Sequence, residues 1–228
     1  MITIAIDGFS STGKSTIAKQ LAKKLGFIFI DTGAMYRGVT LYAIQNQIIG
    51  TDFFYKDKLI QSLPLIKLHF QFNEALGFAE LYLNDLNVEA QIRTMEVSNF
   101  VSKIAAISEV RSKLVEQQQE MGKNKAVVMD GRDIGTVVFP AAELKIFMTA
   151  SAEVRAQRRF SELHALDQSI TYESVFDNVQ KRDYIDSNRD DSPLKMAADA
   201  IEIDNSYLTR DEQFNLVLDL VTEITKSK

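Results

Sequence analysis

The run Gly8-Phe9-Ser10-Ser11-Thr12-Gly13-Lys14-Ser15 fits G-x-x-x-x-G-K-[ST], and that spacing has a chemical reading. Glycines let the backbone curl until several N–H groups point inward at phosphate oxygens. A helix opening at Lys14 adds the positive end of its dipole. The Lys14 ammonium then reaches the outer phosphates of a nucleoside triphosphate, and the Ser15 hydroxyl suits Mg²⁺. Asp130 ends the apolar run Ala126-Val127-Val128-Met129, a place for an acid that positions the Mg²⁺ shell. A strand-end acid also serves as a plain turn residue, and a phosphate loop alone names no reaction.

The other polar clusters narrow the field. A GTP-driven switch needs D-x-x-G and N-K-x-D; no Asp here has Gly three positions later, and Asn124-Lys125 is followed by Ala126-Val127. Asp31-Thr32-Gly33-Ala34-Met35-Tyr36-Arg37 and Asp130-Gly131-Arg132-Asp133-Ile134-Gly135-Thr136 each follow a strand pattern, which puts both at the carboxyl edge of a parallel sheet, beside the phosphate loop. Arg182, Asp186 and Arg189 share one helical face, and Arg155, Arg158 and Arg159 another. Singly, these also read as a surface ion pair and a solvated helix face. Together they suit a clamp for two sets of phosphates. His69 and His164 read as structural or solvated.

These residues need a frame. Ile2 to Asp7 has the pattern of a buried strand, Lys14 to Leu25 that of a helix stopped by Gly26, Phe27 to Ile30 a second strand, and Ala34 to Gln47 a second helix. Strand–loop–helix–strand predicts a parallel sheet covered by helices. From Leu65 to Val88 apolar and polar residues alternate between turn signals, so a small antiparallel meander is expected there. Helix is expected from Val97 to Met121, strands at 126–130 and 144–148, helix from Ala152 to about Arg189, a strand at 200–203 and a closing helix from Asp211 to Lys226.

With 228 residues, 46% hydrophobic and 25% charged, the chain can bury a sizeable core. A net charge of −5 argues against a nucleic-acid backbone as partner. No cysteine is present, so thiolate metal sites and disulfides are ruled out and a reducing compartment is expected. The apolar start is too short for a signal peptide, and no stretch approaches the ~20 apolar residues of a membrane helix. A soluble, cytoplasmic protein is expected.

Over essentially its whole length the sequence resembles the long-type bacterial cytidylate kinases. The match is carried by the phosphate loop, Asp31 to Arg37, Ile92-Arg93-Thr94 with Glu96-Val97-Ser98, Asp130 to Thr136, and Arg182-Asp183 with Asp186 and Arg189. The resemblance implies an α/β fold: a P-loop NTPase-like parallel sheet flanked by helices, an inserted small antiparallel sheet and a helical lid. Its implied segments are core at 1–33, 101–150 and 191–228, a monophosphate-binding domain at 34–100 and a lid at 151–190. It implies transfer of the ATP γ-phosphate to CMP or dCMP by a monomer, with Mg²⁺.

The implied roles follow the motifs. Gly8, Ser10, Ser11, Thr12, Gly13, Lys14, Ser15 and Thr16, with Arg158, would hold ATP; Ser15 and Asp130 would hold the metal. Lys14, Arg132, Arg155 and Arg159 would act on the transferring group. Thr32 and Tyr36 would line the acceptor site. Arg37, Arg132 and Arg189 would grip its phosphate, Arg182 and Asp186 face the ribose, and Ser102, Arg111 and Asp133 face the cytosine ring. Cytosine's N4 amino group suits a carboxylate, and its O2 and N3 suit donors. Phe9 in the loop, and Thr32 where the family usually has serine, are departures. Kinases for UMP, AMP or a small metabolite, and a non-catalytic nucleotide-binding module, are the other readings. Intact Lys14, Ser15 and Asp130 count against the last.

Overall fold

Period-two alternation along β1 (Thr3–Gly8) decides what each side chain meets. Ile4 and Ile6 turn into a core shared with Ile17, Leu21, Val128, Ile146, Met148, Ile203 and Val217. Ala5 and Asp7 turn to the opposite face. In the computed structural model, which describes residues 1–226, the chain forms two compact units, Met1–Asp31 with Gln118–Lys228, and Thr32–Gln117. Residues 101–117, read from sequence as core, thus group with the second unit.

The first unit is built on a five-stranded sheet in the order β2-β6-β1-β7-β8, with every pair parallel: β2 (Ile28–Asp31), β6 (Val127–Gly131), β7 (Leu144–Thr149) and β8 (Ile201–Asp204). Register aligns the strand ends: Asp31 lies opposite Asp130, Asp7 opposite Gly131, and Thr149 opposite Asp204. The carboxyl edge is therefore acid-tipped, as the sequence predicts. Helix α1 (Lys14–Leu25) contributes Ile17, Ala18, Leu21 and Ala22 to the core, and α8 (Arg210–Lys226) contributes Val217 and Val221. Gly26, in the left-handed conformation at φ 67°, ends α1 where the sequence places the stop.

The helical stretch expected from 152 to about 189 forms two helices, α6 (Ala152–His164) and α7 (Tyr172–Asn188). Asp167 Oδ1 accepts from the Ser169 N–H and hydroxyl, a local turn that competes with helix, and Thr171 caps the N-terminus of α7 through the Ser174 N–H. A π-helical turn at Ile134–Val138, which the sequence does not announce, follows β6.

The second unit holds α2 (Thr32–Gln45), α3 (Lys56–Ser62), the meander β3 (Leu68–Asn73), β4 (Phe78–Leu83) and β5 (Leu86–Asn87), then α4 (Met95–Ala105) and most of α5 (Ser108–Gly122). The antiparallel meander is as expected; Asn84 and Asp85 turn it with φ of 47° and 67°, the hand that hairpins favour. Leu68 and Leu81 lie over Gly38 of α2, where a Cβ would come within 2.9 Å of both. The helical stretch expected from about 97 to 121 is interrupted at Ala106-Ile107. There the Arg111 guanidinium of α5 donates to the Ala105 carbonyl at 3.2 Å and satisfies the end of α4.

Candidate active site

The phosphate loop leaves the end of β1 and enters α1, the context its spacing requires. Gly8 (φ 142°) lies against β7 so closely that a Cβ would fall 2.0 Å from the Met148 carbonyl oxygen, which admits glycine alone. Ser11 and Gly13 also have positive φ, 60° and 92°. Lys14 donates to the Phe9 carbonyl and, at 3.4 Å, to the Thr12 hydroxyl. Burial, then the charge of Arg132, holds its ammonium well below the usual lysine range. Ser15 Oγ donates to Asp130 Oδ2 at 2.5 Å. No cluster of three His, Cys, Asp or Glu side chains suited to a metal exists among the described residues. A hydroxyl beside a carboxylate instead suits Mg²⁺, which takes most of its oxygens from phosphate and water.

Three residues from elsewhere in the same unit, Arg155, Asn205 and Phe147, fix the loop. Arg155 of α6 donates to the Ser10 carbonyl at 3.4 Å and stands 5.1 Å from the Phe9 ring. Its guanidinium also pairs with Asp183 of α7 at 2.7 Å, which ties the two helices together. Asn205, just past β8, donates to the Thr12 carbonyl. Phe9 packs edge-on against Phe147, so this departure is a buttress for the loop. Arg158 bonds Asn205, and Arg159 bonds Glu162 at 3.2 Å.

Arginines and acids gather at the carboxyl edge. Arg132 Nε donates to Asp186 Oδ2 at 3.1 Å, joining the loop after β6 to α7. Arg189 pairs with Asp133 at 3.9 Å and grips the Ser192 carbonyl at 2.6 Å. Arg182 and Asp186 are both buried, so they are not an exposed helix pair. Burial first, and Arg132 second, push Arg182 down to about 10, with Asp186 opposing. Arg132 and Arg182 also weigh on Lys14. Three cations thus lie within electrostatic reach of one another, interleaved with the carboxylates of Asp7, Asp130 and Asp186.

Sequence reading passed over Asp7, whose carboxylate accepts from the backbone N–H groups of Ile134 and Gly135 at 2.8 and 2.7 Å and so pins the π-helical turn. Its signal was available: like Asp130, it is an acid ending a buried strand. Asn205 carried none, since its partners lie far off in sequence.

In the second unit Thr32, Tyr36 and Arg37 lie on α2, directly after β2. The Arg111 guanidinium stands 5.5 Å from the Tyr36 ring, so two expected acceptor residues meet. Ser102 lies one turn before the Ala105 carbonyl that Arg111 grips, and its buried hydroxyl has no hydrogen-bond partner among the described residues.

No described helix is long and apolar enough to cross a membrane. Residues 4–223 match the family model for cytidylate kinase. A cytidylate kinase of Flavobacterium johnsoniae is 70% identical over 225 residues, covering 99% of this chain and 98% of that one. That of Flavobacterium psychrophilum is 69% identical over 223 residues, covering 98% and 99%. Among solved structures, a gluconokinase from Sinorhizobium meliloti matches with a TM-score of 0.50 at 13% identity, covering 99% of this chain and 94% of that one, a likeness of fold. The chain belongs to the cytidylate kinase family.

Proposed function

We propose that this enzyme transfers the γ-phosphate of ATP to CMP, and to dCMP, giving ADP and the pyrimidine diphosphate. The reading rests on family membership and on one observation: Lys14, Arg132 and Arg182 share an electrostatic neighbourhood at the edge where Ser15 meets Asp130. Two anions can be brought together only where cations offset their repulsion.

Gly8 and Ser10 to Thr16 hold the donor triphosphate, and Lys14 follows the charge that develops on the transferring group. Ser15 and Asp130 would hold Mg²⁺, which would supply neutralisation of triphosphate oxygens. Arg37, Arg132 and Arg189 orient the acceptor phosphate, Arg182 and Asp186 its ribose, and Thr32 and Tyr36 line its site. Asp133, Ser102 and Arg111 read the cytosine; the buried Ser102 hydroxyl without a protein partner supports this. The acceptor oxygen is already anionic, so no general base is assigned, and catalysis is alignment plus charge neutralisation. The α6–α7 segment acts as the lid. Arg155 and Arg159, with Arg158, bring charge from it to the donor phosphates and limit loss of phosphate to water. The net charge of −5 supports a soluble enzyme of small nucleotides without a nucleic-acid partner.

The test is a panel of monophosphates in a coupled ADP-release assay, with and without Mg²⁺, on the wild type and Lys14→Ala. CMP and dCMP should lead, chelation should stop turnover, and Lys14→Ala should lower kcat at least a hundredfold. A preference for AMP, or near-normal turnover of the lysine variant, refutes the reading.

A further inference from the structure

Asn205 has a set of partners that no core-filling asparagine needs. Its backbone N–H donates to the Thr149 carbonyl at 2.9 Å, which fastens it to the end of β7. Its side chain is fully buried. Nδ2 donates to the Thr12 carbonyl of the phosphate loop and, at 3.1 Å, to Gln213 Oε1 of α8. Gln213 is oriented in turn, because its Nε2 donates to the Leu208 carbonyl at 3.0 Å. That bond leaves the Gln213 oxygen facing Asn205 and so settles which end of the Asn205 amide is nitrogen. The other end, Oδ1, accepts from Arg158 Nη1 at 3.0 Å, while the Asn205 carbonyl accepts from Nη2 at 2.9 Å. Both donors and the acceptor of one amide are used.

Two of these bonds end on groups the proposed reaction needs. In a trans peptide the C=O and the following N–H point in opposite directions. Holding the Thr12 carbonyl toward Asn205 therefore turns the Gly13 N–H away from it. Gly13, at φ 92°, has no side chain to resist rotation of that peptide. A rotated peptide would present an oxygen where the loop offers a donor, and an oxygen repels phosphate. The same amide holds Arg158, an α6 residue assigned to the donor phosphates.

We propose that Asn205 is a positioning residue for the ATP side of the reaction, its amide nitrogen fixing the Thr12–Gly13 peptide while its oxygen holds the Arg158 guanidinium. This deepens the kinase reading and rests on it for Arg158 alone; the loop geometry stands independently. The two arms can be cut separately. Asn205→Asp keeps the acceptor for Arg158 but sets an oxygen against the Thr12 carbonyl. Asn205→Ala removes both arms without adding charge, and Arg158→Ala removes the second.

The measurements are steady-state constants for ATP and CMP, equilibrium binding of a fluorescent ATP analogue, and thermal melting of each variant. Asn205→Asp and Asn205→Ala should weaken ATP binding about tenfold or more. KM for CMP should stay within about twofold. Arg158→Ala should lower kcat with a smaller effect on ATP binding, and adding it to Asn205→Ala should cost less than the product of the two single effects. Equal loss for both nucleotides, or a lower melting temperature with unchanged ATP affinity, overturns the proposal. Should the buried carboxylate prevent folding, Asn205→Ala decides alone. Nucleotide-analogue binding reads the loop whatever the acceptor, while wild-type turnover on CMP tests the kinase reading separately.

Discussion

Replacing Asp7 by asparagine should change how folding stability depends on pH. Burial pushes the Asp7 carboxyl from 3.8 up to about 7, overcoming the two N–H groups that favour the charged form; Asp133 adds to the rise and Lys14 opposes it. Between those values the folded chain holds a proton that the unfolded chain has released. Stability from this group is therefore complete below about pH 4, declines as pH rises, and levels off above 7. A gap of roughly three units at about 1.4 kcal/mol each bounds the decline at about 4 kcal/mol. Asparagine cannot ionise. It keeps one oxygen for the turn and points an amino group at the other N–H, a loss of about 1–3 kcal/mol at every pH. The variant should start less stable than the wild type at pH 4.5 and overtake or match it by pH 8. Urea denaturation of both proteins across that range gives the difference directly, with most other titrations cancelling. A difference constant to about 0.5 kcal/mol would falsify the account, because it would mean that Asp7 ionises as freely as in water.

Asp186→Ala should raise KM for the acceptor about tenfold or more, since it takes the carboxylate from Arg132 and leaves a partly buried guanidinium without that anchor; an unchanged acceptor isotherm in calorimetry would count against the clamp. Ser102→Ala should leave the melting temperature within about 1 °C, because the hydroxyl it removes has no protein hydrogen bond, yet raise KM for CMP severalfold and not that for ATP; equal effects on both nucleotides would remove Ser102 from the base site. Gly8→Ala should destabilise the fold by about 3 kcal/mol or more, because its methyl meets backbone and not a movable side chain. A shift below about 1 kcal/mol in denaturant would show that β1 and β7 can part there.

The sheet and its edge were legible because their causes are local. Ile2 to Asp7 and Ala126 to Asp130 are short apolar runs ending in an acid. The glycines at 8, 13 and 26 sit where positive φ is needed. Lys14–Leu25 kept its predicted bounds because periodicity and a glycine stop agree. Breaks inside the long helical stretches were less legible. That at 106–107 depends on a guanidinium five residues further on, and that at 165–171 on Asp167 and Thr171 bonding their own backbone. Arg155, Arg158 and Arg159 show the limit of helical spacing. It groups them on a face, while the structure gives them three different anchors: Asp183, Asn205 and Glu162. Such partners are chosen by the fold, and spacing within one helix cannot name them.

Those anchors also explain how so many arginines coexist at one edge. Arg132 pairs with Asp186, Arg155 with Asp183, and Arg189 with Asp133. Each carboxylate comes from an element other than the one bearing its arginine, so each pair fixes a distance between elements as well as a charge. Buried pairs of this kind add little net stability, because desolvation offsets their attraction. Their effect is to hold guanidinium groups in place before any nucleotide arrives. Burial first, and Arg132 second, depress Arg182 even with Asp186 beside it, so an added anion would favour its charged form. In the proposed reaction an incoming phosphate is attracted to guanidinium groups already held in place. Because the donors are already aimed, little of that attraction is lost to reordering them.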